Sequence, residues 1–176
     1  MQKILLTGEI QVGKSTIINR VCADLGNVVK GFHTIAIRKD STEIDSLYIL
    51  PYIINVPSCD DKPIAIRNMK LREKKAFPEI FDKHGVKILN EAKTNPNTKL
   101  LIMDELGFFE NDAILFQNEI ISCLSGDIPV LGVIKPKRTD FLDKIRSLPD
   151  VKIIEVTEEN RDKIYEEVLT QINEML

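Results

Sequence analysis

The sequence predicts an α/β fold: a mainly parallel sheet with helices on both faces and an inserted β-hairpin. Three observations carry that prediction. Strand-like and helix-like segments alternate along most of the 176 residues, as βα units do. Several strand-like runs, among them "KLLIM", "IPVLGVI" and "VKIIEV", are apolar without alternation, as expected of strands covered on both faces. Finally, "GEIQVGKST" (Gly8 to Thr16) joins the first strand-like run to the first helix-like run with the spacing G-x-x-x-x-G-K-[ST] of a phosphate-binding loop.

The elements follow in order. A first strand is read at about Lys3–Thr7 and its helix at about Lys14–Leu25. The stretch from Gly31 to Arg67 is different: "GFHTIAIR" and "SLYILPYIIN" are β-rich and flank the turn-like "KDST", which makes a hairpin inserted into the α/β body. "KPIAIRNMKL" adds a short strand, and the basic "MKLREKKAF" reads either as a solvated loop or helix edge or as a mobile segment that helps hold a nucleotide or an acidic partner. A helix is expected from about Pro78 to Ala92, weakened in its middle by Gly85. The strand Leu100–Met103 ends in two acids, and Asn111–Leu124 reads as a helix. Two further buried strands precede a last helix placed after Thr157, an N-cap followed by Glu158 and Glu159 at the positive end of the dipole. Ile164, Val168, Leu169 and Ile172 give that helix one apolar face. With no repeat, low-complexity tract or linker, the reading is one domain over residues 1–176 with its hairpin at about 31–67.

Bulk properties exclude several classes. A net charge of −3 argues against a nucleic-acid-binding surface. No apolar run approaches the roughly 18 residues of a membrane span, and "KILLT" is too short for a signal peptide. Cys22, Cys59 and Cys123 are odd in number and widely spaced, which suggests reduced thiols and a cytoplasmic setting. His33 and His84 have no partner at ligand spacing, so a histidine-based metal site is not expected. The expectation for assembly is a monomer.

The loop carries the chemistry. Gly8 and Gly13 allow backbone N–H groups to approach an anion, and Glu9, Ile10, Gln11 and Val12 complete the cradle. Lys14 is positioned for the β- and γ-phosphates, Ser15 for Mg²⁺, and Thr16 for the α-phosphate. Binding alone does not hydrolyse, and "LLIMDE" supplies what the loop lacks. An acid at the carboxyl end of a buried strand sits where open α/β sheets bind ligands. Asp104 fits the Mg²⁺-holding acid, and Glu105 the group that orients or deprotonates the attacking water. Arg38, Arg67, Lys135 and Arg138 are the candidates to offset charge on the γ-phosphate, and the sequence does not choose among them.

Beyond these residues the chain resembles the small P-loop nucleoside-triphosphatases of the cancer-related type. "IMDELGFFE" is similar to that family's D-E-I-G-x-M-E and keeps Asp104, Glu105, Gly107 and Glu110. "VKIIEVTEENRDKI" resembles its V-x-x-x-x-V-T-x-x-N-R, with Val151, Val156, Thr157, Asn160 and Arg161 in register. "VLGVIKPK" and "GFHT" also match in order and spacing. The resemblance implies a three-layer P-loop NTPase fold and a Mg²⁺-dependent enzyme that hydrolyses ATP, GTP, CTP and UTP to diphosphate and phosphate. Asn160 and Arg161 stand where P-loop folds often meet the base. Glu110 is read either as an acid behind the metal site or as a solvated helix-start residue.

Two regions depart from the pattern. "IAIRKDSTEIDSLYIL" keeps Arg38 but lacks the glutamate and Gly-x-Arg that usually follow G-F-x-T, and Phe108 and Phe109 replace a lysine-methionine pair. The alternatives are a small-molecule or nucleotide kinase and a non-catalytic nucleotide-binding switch. Phosphate release without an acceptor separates them.

Overall fold

Strand β1 (Lys3–Thr7) lies inside the sheet, and its side chains feed two separate cores. Leu5 packs into the apolar cluster on one face, Ile4 and Leu6 into the cluster on the other. Strand β6 (Leu100–Leu106) divides likewise, Leu101 and Met103 against Leu100 and Ile102. This is why both runs are apolar without alternation: neither face of the strand meets water. The computed structural model describes residues 3–38 and 43–176.

The remaining strands are β2 (Val29–Arg38), β3 (Ile44–Pro51), β4 (Ala65–Asn68), β5 (Glu73–Ala76), β7 (Val130–Ile134) and β8 (Val151–Glu155). All belong to one sheet of order β5-β4-β3-β2-β6-β7-β1-β8. From β2 to β8 neighbours run parallel, and from β2 to β5 they run antiparallel. Helices α1 (Lys14–Leu25) and α6 (Arg161–Met175) cover one face through Ile17, Ile18, Val21, Val168 and Ile172. The other face is covered by α2 (Pro78–Ile80), α3 (Val86–Thr94), α4 (Ile114–Ser125) and α5 (Asp140–Arg146), with Leu89, Phe116, Ile120 and Leu142 inside. The α/β class, the mainly parallel sheet and the helices on both faces are as the sequence predicts.

Several details differ. The β-rich segment is more than a hairpin: β2 and β3 pair antiparallel, and the pairing continues through β4 to β5. "MKLREKKAF" therefore contributes an edge strand, not a loop or helix edge. Its lysines are suited to that position, since charge on an edge discourages further pairing. The turn-like "KDST" lies outside the described residues. The expected Pro78–Ala92 helix contains a π-helical turn, Phe81–Gly85, between α2 and α3. A side chain at Gly85 would meet the Phe116 ring at 2.5 Å, so the glycine marks close packing of this turn on α4. Helix α4 starts three residues later than read, α6 starts at Arg161 after a turn, and α5 is an element that the reading lacks. A signal for α5 was present: Thr139 caps it by accepting from the Leu142 N–H at 3.2 Å, with Asp140 and Asp143 in the first turn.

Lys3 is fully buried, and its ammonium donates to the carbonyls of Gly126 and Ile128 at 2.7 and 2.6 Å, which ties the start of β1 to the turn before β7. Gly31 governs the other side of the sheet. It has φ of +128°, and a Cβ there would stand 2.1 Å from the carbonyl oxygen of Ile102, its partner in β6. Gly31→Ala is expected to destabilise the fold by about 2 kcal/mol or more, from strained φ together with separation of β2 from the strand that carries Asp104. Urea unfolding of the two proteins measures it. An unchanged midpoint contradicts the assignment.

Candidate active site

The loop begins where β1 leaves the sheet. The Val156 N–H donates to the Thr7 carbonyl at 2.8 Å, which holds the end of β8 against the end of β1. Gly8 turns directly over this contact with φ of +135°, and a Cβ would lie 2.3 Å from the Val156 carbonyl oxygen. No other residue fits there. Gly13 also has positive φ, and so has Gln11 at +67°, which the motif does not require. Helix α1 then starts with the Ile17 N–H donating to the Gly13 carbonyl at 3.0 Å, so its positive dipole end points into the loop.

Lys14 folds back over this cradle, its Nζ donating to the carbonyls of Gly8 at 2.9 Å and Glu9 at 2.5 Å. Burial lowers its pKa, and the charges of Glu105, Asp104 and Glu9 act the other way. Glu9, Ile10 and Gln11 are exposed, whereas the Val12 side chain is buried in the core beneath α1. Val12 thus has only its backbone to offer a ligand.

The two acids arrive on β6, two strand positions from β1 with β7 between. Pairing of β6 with β7 is regular to Met103 and resumes at Leu106, so the irregularity spans the acid pair, whose connecting peptide is cis. The Ser15 hydroxyl lies across that gap from Asp104, near enough to act on its carboxyl. Burial raises the Asp104 pKa; Glu105 adds to that, while Ser15, His33 and Lys14 oppose it. Glu105 faces the opening and is ion-paired to Lys135, with Nζ to Oε1 at 2.5 Å and both side chains about one-third exposed (33% and 29%).

Gly8, Lys14, Ser15, Thr16 and Glu105 therefore meet in one cleft of about 830 Å³. Its far wall is formed by Phe108, Phe109, Lys137 and Lys135, and the antiparallel extension adds Leu47, Arg67 and Lys74. The ammonium groups of Lys74, Lys137 and Lys135 lie 4.8, 4.9 and 5.4 Å from the Phe108 ring centre. Lys74 belongs to the basic stretch read from the sequence, but its place in the cleft comes from strand pairing, and Lys137 is brought there by a loop.

The structure separates the four candidate cations. Arg38 and Arg67 both bind Asp45, at 2.8 and 2.6 Å, and hold its carboxyl below the usual range; Arg67 also lines the cleft. Arg138 pairs with Asp143 and is 80% exposed. Lys135 alone of the four is in contact with an acid of the pair. At the other rim, Arg161 lies over Gly13, its Cδ 3.3 Å from where a Cβ would be. Asn160 closes the turn before α6: its Oδ1 accepts from the Thr157 N–H at 2.8 Å and its Nδ2 donates to the Glu155 carbonyl at 3.0 Å. Glu110 is buried, 3% exposed, so the solvated helix-start reading is not what the structure shows.

Among the described residues no helix is long and apolar enough to cross a membrane, and no group of three or more His, Cys, Asp or Glu forms a metal-binding cluster. The comparisons with known proteins agree with this geometry. The family model described as NTPase matches residues 3–169. Nucleoside-triphosphatase THEP1 of Thermotoga petrophila is 31% identical over 95% of this chain and 90% of its own. The human cancer-related nucleoside-triphosphatase is 27% identical over 95% and 94%. Among solved structures, THEP1 from Aquifex aeolicus superposes with a TM-score of 0.74 at 24% identity, covering 97% of this chain and 99% of that one, which shows a common fold. A match that takes in the loop on β1, the acids on β6 and the turn before α6 leaves one conclusion: the chain belongs to the NTPase family.

Proposed function

We propose that this chain is a Mg²⁺-dependent nucleoside-triphosphatase that hydrolyses ATP, GTP, CTP and UTP to the diphosphate and phosphate. The observation that supports it most is the meeting of the loop with the acid pair: Ser15 stands close to Asp104, and Glu105, paired to Lys135, lines the same open cleft as Lys14 and Ser15. The donor set suits a hard divalent cation, since a hydroxyl and a desolvated carboxylate offer oxygen ligands. Ser15 and Asp104 would hold it, and Mg²⁺ bound there supplies charge neutralisation at the β- and γ-phosphate oxygens.

The protein's own residues carry the rest. Backbone N–H groups of Gly8 to Gly13 and the first turn of α1 bind the phosphate chain, and Lys14 places a full charge at its terminal end. Glu105 orients water toward the γ-phosphorus and accepts its proton. Lys135, beside Glu105, adds a positive charge where negative charge grows in the transition state. Arg161 over Gly13, with Asn160 behind it, forms the rim from which the base is contacted. These contacts offer few features that tell one base from another. Cys22, Cys59 and Cys123 are free thiols, which supports a cytoplasmic setting.

Hydrolysis of the four common triphosphates is expected with efficiencies within roughly two orders of magnitude, or ~3 kcal/mol. Lys14→Ala is expected to abolish it and to weaken triphosphate binding. Phosphate release with Mg²⁺ and no acceptor measures both. Activity on a single triphosphate, or full activity of the variant, refutes the proposal.

The acids are expected to fail differently. Glu105→Gln should bind MgATP as the parent does but hydrolyse it ~10²–10⁴-fold more slowly. Asp104→Asn should also raise the Mg²⁺ concentration needed for half-maximal rate. Equilibrium binding beside single-turnover kinetics separates the two. A Glu105→Gln protein working at the parent rate removes the water-orienting role and favours the switch reading.

A further inference from the structure

Glu110 is the acid that the proposed mechanism leaves unused, and its setting is unlike that of its neighbours. Its Oε1 accepts from the Gly107 N–H at 3.0 Å, while Oε2 is buried with no hydrogen-bond partner among the described residues. An orphaned buried oxygen in a native fold asks for a reason. The space beside Gly107 shows where that oxygen points. A Cβ at Gly107 would lie 3.5 Å from Glu110 Oε2, and 3.3 and 3.7 Å from Cδ and Cε of Lys135. The free oxygen and the Lys135 stem thus flank the same small gap that glycine leaves open. Beyond it, the Lys135 ammonium is held by Glu105.

Two carboxyls therefore flank Lys135: Glu105, one-third exposed, pairs with its ammonium, and Glu110, buried, leaves its free oxygen across the gap from the Lys135 stem. We propose that Glu110 is a positioning residue that shares Lys135 with Glu105, so that ionisation of the buried carboxyl loosens the Lys135–Glu105 pair and frees Glu105 to orient water. The proposal rests on the reading of Glu105 given above. Burial pushes the Glu110 carboxyl up to about 7, against the pull of the Gly107 N–H and Lys135 and with the help of Glu105. The other polar groups around this site are fixed. The Gln117 amide of α4 donates to the Glu110 carbonyl at 2.7 Å, and Arg146 of α5, paired with Asp143, donates to the Lys135 carbonyl at 2.6 Å.

The sign follows from the protonation state. Below neutrality Glu110 is uncharged and Lys135 is held by Glu105. Above it, the new carboxylate competes for the ammonium, so Glu105 is freed as pH rises. Between pH 6 and 8 the ionised fraction of a carboxyl titrating at about 7 climbs from about a tenth to about nine-tenths, a gain of up to ~9-fold in the freed state.

The test is a titration of nucleotide-free protein labelled with ¹⁵N-lysine, from pH 5.5 to 8.5, following the Lys135 signal assigned by its loss in Lys135→Arg. The parent is expected to show an inflection near neutrality that Glu110→Gln lacks, and the variant's single-turnover rate should lose the matching rise. Glutamine keeps the acceptor for the Gly107 N–H, so the turn should hold, and thermal unfolding checks that it does. A parent Lys135 signal with no inflection between pH 6 and 8 overturns the proposal whatever the variant does, as does an identical inflection or rate rise in the two proteins. Failure of the Glu105 reading shows separately, as undiminished hydrolysis by Glu105→Gln.

Discussion

The approach of Ser15 to Asp104 across the width of strand β7 is the constraint on which the site depends. It requires β1 and β6 to be parallel, in register with the strand between them, and to end at the same edge of the sheet. Each requirement is met by burial rather than by the site itself. Leu5, Leu101 and Met103 on one face, and Ile4, Leu6 and Ile102 on the other, lock the strands between two helical layers. A one-residue slip would turn every one of these side chains to the wrong core. The polar site is thus positioned by apolar packing on both faces of the sheet.

Electrostatics act on top of that frame. Burial works against the charged forms of both Lys14 and Asp104, and each is partly restored by the other's charge. Lys14 meets its need for acceptors with the loop's own carbonyls, and Glu105 meets its need for a cation with Lys135. Lys14 in particular is held over the loop before any ligand arrives, as preorganised stabilisation of developing charge demands.

The parts legible in the sequence are those whose cause is local. The loop could be read because Gly8, Gly13, Lys14 and Ser15 stand at fixed spacing, and the acids because they end an apolar run. Strands β1, β6 and β7 could be read because burial on both faces leaves an unbroken apolar string. What could not be read depends on distant partners. The edge strand Glu73–Ala76 is charged and short, and it is a strand only because β4 pairs with it. Lys74 reaches the cleft by that pairing alone. The choice of Lys135 over Arg38 and Arg138 needed their partners, Asp45 and Asp143, to be seen in space. Glu110 is buried by the turn after β6, where its free oxygen meets the gap at Gly107, a contact between residues that the linear sequence does not show.

The central claim is that the loop and the acid pair form one phosphate site. A crystal structure of the protein with Mg²⁺ and a non-hydrolysable triphosphate tests it most directly. The account predicts the terminal phosphate within hydrogen-bond reach of Lys14 Nζ, the cation on the Ser15 hydroxyl with Asp104 behind it, and Glu105 facing the γ-phosphorus. A triphosphate bound elsewhere, or bound in the loop with the metal remote from Ser15 and Asp104, would contradict it.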